Sequence, residues 1–233
     1  MHYHLNKFLL LIFVLQFFTQ GCTKNMEIKK LVSYPKSYEK DSNKKWPLIL
    51  FLHGIGERGN NLEQLKIHGI PKIIDSNKDF PFITVSPQCP LEFDWRENKM
   101  QDKVIVMIEN FIKNNNVDKD RVYITGLSMG GYGTWSILSK RPKLFAAAIP
   151  ICGGGNPANA LKLKDIPIWT FHGEDDEDIP ITETINMVNA INNINGNIKF
   201  TMYPNTKHDS WTETYNNKDI FDWLLSHIRN TED

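Results

Sequence analysis

Residues 126–130 read Gly-Leu-Ser-Met-Gly, a serine between two glycines, with Gly131 and Gly133 close behind. A serine hydroxyl is a weak nucleophile unless it is exposed beside a base. A sharp strand-to-helix turn achieves this: it lifts Oγ above the sheet edge, and small neighbours let the flanking backbone come close. The helix that follows also aims its first N–H groups at the place where an oxyanion would form. The β-branched run at 122–125 and the helical stretch ended by Pro142 supply that context. The chemistry on offer is attack by Ser128 on a carbonyl. It requires a base, an acid to orient the base, and oxyanion donors.

Seven histidines are available. His2 and His4 precede an apolar N-terminal run, His68 lies in a polar connection, and His227 falls in a terminal helical pattern. His53 and His172 end apolar runs and are each followed by glycine. His208, in "NTKHDSW", comes just after the last apolar run. The acidic stretch "HGEDDEDIP" offers Glu174, Asp175, Asp176, Glu177 and Asp178, and the residues alone do not choose among them. Gly54 and Gly56 suit a turn. Glu57 and Arg58 suit a local ion pair, with Arg58 reaching substrate as the alternative. Trp95 and Trp211 are candidates to border the cleft, with plain packing as the alternative.

The elements that must position these groups follow from patterning. Runs at 48–53, 82–87, 122–125, 146–152, 166–171 and 198–203 are short and nearly continuously apolar, as parallel strands buried on both faces require. Helical spacing recurs at 101–115, at 182–195 with Gly196 closing it, and at 218–229. An outer strand is expected near "LVSY". Strands alternating with helices imply right-handed crossovers. The expectation is one α/β domain with a mostly parallel central sheet and helices on both faces.

The chain has 233 residues, enough for one sizeable core. Basic and acidic residues number 27 each, so the net charge of zero argues against a nucleic-acid partner. Of three cysteines, Cys89 and Cys152 lie in the body of the chain and suit separate buried thiols. No metal-ligand spacing is visible, and the chemistry needs no cofactor.

The N-terminus reads differently. Residues 8–18 are apolar and end in "TQGC". The run is shorter than the roughly 20 residues that span a bilayer and fits a secretory signal. Its ending resembles the lipobox of bacterial lipoproteins, although Thr19 and Gln20 depart from the usual residues. The resemblance implies a signal peptide at 1–21, lipid on Cys22, a tether at 22–30 and a catalytic domain at 31–233. The protein is then expected to be exported and held at a membrane facing the periplasm or cell surface, with plain secretion as the alternative.

"LHGIGERG", "SPQCP" followed by Trp95, "TGLSMGGYGTW", "ICGGG", "HGEDDEDIP" and "KHDSWTETY" together resemble the α/β-hydrolase superfamily. Within it, the chain looks like the small esterases of the dienelactone hydrolase, phospholipase/carboxylesterase and predicted-peptidase type. The resemblance implies Ser128 as nucleophile, His208 as base and Asp176 as acid, since the chain order there is serine, acid, histidine. It also implies an oxyanion hole from the Met129 and Ile55 amides. Little chain separates the runs at 146–152 and 166–171, so no large cap is expected and the site should admit small or polymer-linked esters. Acetyl and feruloyl esters of polysaccharides are the substrates suggested by analogy. Alternatives are a serine peptidase of the prolyl-oligopeptidase-like group, an acyltransferase, and a non-catalytic carbohydrate-binding relic.

Overall fold

The computed structural model describes residues 27–39, 43–76 and 80–229; the expected signal segment and Cys22 lie outside them. Seven strands form one sheet: β1 (Lys30–Ser33), β2 (Trp46–Leu52), β3 (Ile83–Pro87), β4 (Val117–Leu127), β5 (Ala147–Ile151), β6 (Ile168–Gly173) and β7 (Ile198–Tyr203). Their spatial order is β1-β3-β2-β4-β5-β6-β7. Only β1 runs antiparallel, at the edge beside β3. The helices are α1 (Gly69–Ser76), α2 (Asn98–Asn114), α3 (Met129–Lys140), α4 (Ala160–Leu163), α5 (Thr182–Asn192), α6 (Trp211–Asn216) and α7 (Asp219–Leu225).

Alternation along β2 shows how the layers form. Leu48, Leu50 and Leu52 point into a core shared with Val104 and Ile108 of α2, Leu138 of α3 and Met187 of α5. Ile49 and Phe51 point the other way, to Ile70 of α1, Trp211 of α6 and Ile220 of α7. A strand buried on both faces therefore reads as unbroken apolar sequence. Every residue of β2 is buried.

The chain moves from β2 outward to β3, then crosses back to β4 on the other side of β2. Such a reversal opens a crevice at the carboxyl ends of the two flanking strands. Between β5 and β6 the described chain holds one 3-10 turn and the four-residue α4, so no large cap covers that end.

Several expectations need adjusting. Ile28, assigned to the tether, is buried in the core, and the Lys29 carbonyl accepts from the Gln88 amide at 2.8 Å. The packed domain therefore begins before residue 31. The third strand of the apolar pattern, expected at 122–125, runs from Val117 to Leu127. Its first half is polar and only partly buried, which hides it from a hydrophobicity reading. Helix α5 closes with Asn195, not Gly196, in the left-handed conformation (φ 54°). The Asn195 and Gly196 amides bond back to Asn192 and Ile191 carbonyls, both at 2.9 Å, the reversal that commonly ends a helix. Helices α1 and α6 are too short, or too interrupted by polar residues, to show as periodicity.

Candidate active site

Ser128 occupies the turn between β4 and α3 with φ 54° and ψ −118°, a backbone state that costs a non-glycine residue about 1–3 kcal/mol. Its surroundings hold that conformation. The Ser128 amide donates to the Ile151 carbonyl at 3.0 Å and to Cys152 Sγ at 3.3 Å. A Cβ on Gly126 would collide with the Gly130 carbonyl, and one on Gly130 with the Leu52 carbonyl. These glycines permit close backbone approach; neither has positive φ.

Behind the turn, β7 ends at Tyr203, and Asn205 (φ 53°) reverses the chain. The Asp175 amide donates to the Thr206 carbonyl at 3.0 Å, tying the loop after β6 to the one that carries His208. Asp209 then starts the next helix by accepting from the Thr212 amide at 3.0 Å and hydroxyl at 2.9 Å. The Trp211 ring meets the His208 ring edge to face, with centroids 5.1 Å apart.

This scaffold brings three distant side chains into one line. His208 Nε2 lies 2.9 Å from Ser128 Oγ. His208 Nδ1 lies 2.7 Å from Asp176 Oδ2. The carboxylate is an acceptor, so Nδ1 carries the proton and leaves the Nε2 lone pair toward the serine hydroxyl. Asp176 Oδ1 accepts from the Asp178 amide at 3.0 Å and the Ile179 amide at 2.9 Å. Asp176, of the five acids in that loop, is thus the one whose carboxylate meets His208.

Met129 opens α3, and Ile55 opens a 3-10 turn, Ile55–Glu57. The first N–H groups of helical turns have no partner within the turn, so both amides suit an oxyanion. A Cβ built on Gly54 would stand 3.9 Å from Ser128 Cβ, so the second turn lies against the serine. The Ile55 side chain is exposed.

Three expectations about neighbours change. Trp95 does not border the cleft: it is fully buried, and its Nε1 donates to the His53 carbonyl at 3.0 Å. A Cβ on Gly133 would be 2.6 Å from Trp95 Cβ, so the tryptophan packs under the helix that bears the serine turn. Trp211 is also buried and backs His208. Arg58 does not pair with Glu57. Its guanidinium binds the Ile55, Leu91 and Phe93 carbonyls at 3.1–3.2 Å, which joins two surface loops. Glu57 turns inward, where its oxygens lie 3.9 Å from His53 Nδ1 and 3.7 Å from His68 Nε2. Burial raises its pKa above the usual carboxylate range.

Cys89 and Cys152 are both free and buried. Burial raises the Cys89 thiol to about 12 and raises the Cys152 thiol as well. Cys152, with φ 40°, is a site neighbour that pattern reading missed. The small-residue run after it was the available signal, since a Cβ on Gly153 would lie 2.7 Å from the Tyr132 amide nitrogen. A groove of about 610 Å³ beside α2, lined by Ile28, Val106 and Phe111 among others, includes none of the serine, histidine or aspartate. Concavity alone does not mark this site.

The sheet order, the sharp serine turn and the open carboxyl edge are those of an α/β hydrolase of the esterase- and peptidase-like kind, and comparison with known proteins agrees. Residues 90–170 match the prolyl oligopeptidase family. The chain is 33% identical over 135 residues to a bifunctional acetylxylan esterase/xylanase of Neocallimastix patriciarum, covering 56% of this chain and 19% of that protein. It superposes on the crystal structure of a thermostable esterase with a TM-score of 0.75 and 36% identity, covering 87% of this chain and 60% of the other. An acylaminoacyl peptidase of Pyrococcus horikoshii shares the fold (TM-score 0.67) at 16% identity, over 90% of this chain and 41% of that one. The chain thus spans about a fifth of the curated relative and three-fifths of the esterase.

Proposed function

We propose that this protein hydrolyses carboxylic esters through an acyl-enzyme intermediate. The observation that carries the reading is the continuous contact Ser128 Oγ–His208 Nε2 (2.9 Å) and His208 Nδ1–Asp176 Oδ2 (2.7 Å). His208 takes the serine proton as Oγ attacks the acyl carbonyl, and Asp176 holds the ring in the tautomer that permits this. The Met129 and Ile55 amides receive the oxyanion; one such donor contributes about 3–4 kcal/mol of transition-state stabilisation. His208 returns the proton to the departing alcohol, and water then releases the acid by the same steps reversed. No metal or cofactor enters the scheme.

The likeness to an acetylxylan esterase supports an acetyl ester, small or borne on a polysaccharide, as substrate. The uncovered edge of the sheet suits a polymer. A second reading, a serine peptidase, is favoured by the prolyl oligopeptidase match at 90–170. The apolar run at 8–18 and the cysteine after it support export and attachment through lipid on Cys22; each buried methylene of such a chain contributes about 0.8 kcal/mol of membrane affinity.

The decisive experiment compares wild type with Ser128→Ala on p-nitrophenyl acetate, its amide analogue, feruloyl esters and acetylated xylan. Ester turnover lost in Ser128→Ala, with little amide turnover in either protein, supports the reading. Faster amide than ester turnover would replace it with the peptidase. Covalent labelling by a fluorophosphonate that survives Ser128→Ala would remove Ser128 as nucleophile.

A further inference from the structure

Asp176 is bordered by two imidazoles, and the scheme above uses only one. The second belongs to His172, the penultimate residue of β6, fully buried. Its Nε2 lies 3.1 Å from Asp176 Oδ2 and 3.0 Å from the Ile179 carbonyl. Both partners are acceptors, so a bare nitrogen there would face two oxygen lone pairs. A proton on Nε2 resolves this.

With that proton in place, all the lone-pair sites of the Asp176 carboxylate are filled. Oδ1 takes the Asp178 and Ile179 amides, and Oδ2 takes His208 Nδ1–H and His172 Nε2–H. A carboxylate offers about four such sites, and this side chain is fully shielded from solvent. The far nitrogen of His172 is held as well. Nδ1 is 2.8 Å from Thr184 Oγ1, which also reaches the Gly153 carbonyl at 2.7 Å. The Thr184 hydroxyl has one proton and two acceptors within reach. Burial lowers the His172 pKa, so the ring is neutral with one proton; the two oxygens facing Nε2 place it there, and Nδ1 shares the Thr184 hydroxyl proton with the Gly153 carbonyl.

We propose that His172 is a positioning residue for the catalytic carboxylate: its Nε2–H, shared between Asp176 and the Ile179 carbonyl, fixes the Asp176 rotamer that meets His208. The inference rests on the reading of Ser128, His208 and Asp176 as a triad. His172 touches neither the nucleophile nor His208 Nδ1. It acts by clamping both ends of the 172–179 loop and by drawing charge from the oxygen that His208 uses. The titratable groups around it are Asp176 on its own loop and His208 beyond it, with Cys152 Sγ within 4.8 Å of the ligating atoms of both. Helix α5 presents the Thr184 hydroxyl.

The test uses two variants of the full chain. His172→Phe keeps a ring of similar size and removes the donor; His172→Gln restores an N–H near the Nε2 position. His172→Phe should lower kcat about tenfold, a fraction of what general acid–base catalysis contributes, with KM little changed. Oδ2 would then face His208 alone and stabilise its imidazolium, so the acid limb of the kcat/KM profile should move to higher pH. His172→Gln should recover most of both effects. A His172→Phe protein with the kcat and pH profile of wild type overturns the proposal. So does a histidine-labelled wild-type protein whose nitrogen NMR shows the His172 proton on Nδ1 alone, a measurement that holds even if His172→Phe does not fold. Ser128→Ala separates the two levels: ester turnover retained there refutes the triad, whereas turnover lost there but untouched by His172→Phe refutes only the role of His172.

Discussion

Two parallel strands of this sheet lead to the same dipeptide, His-Gly, which directly follows Leu52 of β2 and closes β6, and each dipeptide is followed by a loop with an acidic side chain turned inward. Their outcomes differ. After β6, the Asp176 carboxylate meets two backbone amides and two imidazoles. After β2, Glu57 lies near two imidazoles at 3.7–3.9 Å, beyond hydrogen-bond range, and its Oε2 is buried without a partner. The histidines differ as well. His53 Nε2 accepts from the Cys89 amide at 2.9 Å, so its proton sits on Nδ1 and goes to the Gly54 carbonyl at 2.5 Å. That ring is committed to backbone on both sides. It holds the loop that presents the Ile55 amide and has no proton to offer a carboxylate. A buried acid has its oxygens satisfied only where donors converge on it, and the dipeptide before it does not decide that.

The sharpest way to break this comparison is to remove the charge at the working end. Asp176→Asn should lower kcat roughly ten-thousand-fold, because the amide favours the wrong His208 tautomer; steady-state turnover of p-nitrophenyl acetate measures it. A loss below tenfold would leave the two loops equivalent.

The glycines provide the next contrast. A Cβ on Gly173 would run into the Thr206 and Lys207 carbonyls, which are backbone and belong to the loop bearing His208. A Cβ on Gly54 would meet Leu127 Cδ1 at 2.9 Å and Glu57 Oε2 at 3.2 Å, side-chain ends that can yield. Gly54→Ala should therefore fall within the usual overpacking cost of about 1–3 kcal/mol. Gly173→Ala should exceed it in urea unfolding and lose activity as His208 is displaced.

The pH dependence of stability sharpens the histidine contrast. Burial lowers the His53 pKa from 6.5 to about 4. A depressed histidine means that the unfolded chain binds the proton first as pH falls. Its contribution is whole above pH 6.5 and drains away between there and about pH 4, by about 3 kcal/mol in total. Unfolding free energy in urea should drop across that window. His53→Gln, which keeps an acceptor for the Cys89 amide, should flatten part of the slope.

The smallest effect belongs to Glu57→Gln. The raised pKa means that the buried carboxyl stabilises the fold in its protonated form and loses that contribution as pH rises. A neutral amide should leave kcat/KM near wild type and hold or slightly raise Tm at neutral pH. A large fall in kcat would show that the β2 loop carries a working acid too.

Much of this was readable in advance, and the misses have identifiable causes. Leu48–Leu52 announces a strand buried on both faces because two cores demand apolar residues at consecutive positions. Gly126, Gly130 and Gly131 around Ser128 announce a turn because a Cβ on any of them meets backbone. Ser128 stood out by its glycines and His208 by its place after the last strand, whereas the residues alone left five acids open and motif resemblance was needed to pick out Asp176. Trp95 stayed open between cleft and core because an indole that donates to the buried His53 carbonyl looks no different in sequence from one at a cleft mouth. Arg58 beside Glu57 suggested an ion pair, yet the loop turns one outward to three carbonyls and the other inward.

By itself, then, the sequence determined the alternation of strands and helices, the serine turn and the absence of a large insertion after β5. Those are local matters of side-chain volume, period and backbone freedom. Only the tertiary structure decided which carboxylate meets an imidazole, which nitrogen of each histidine holds the proton, and that Asp176 is bordered by two rings. Those choices depend on donors and acceptors from β6, α5 and the loops after β5, β6 and β7, far apart in the chain and brought within 3.1 Å by packing.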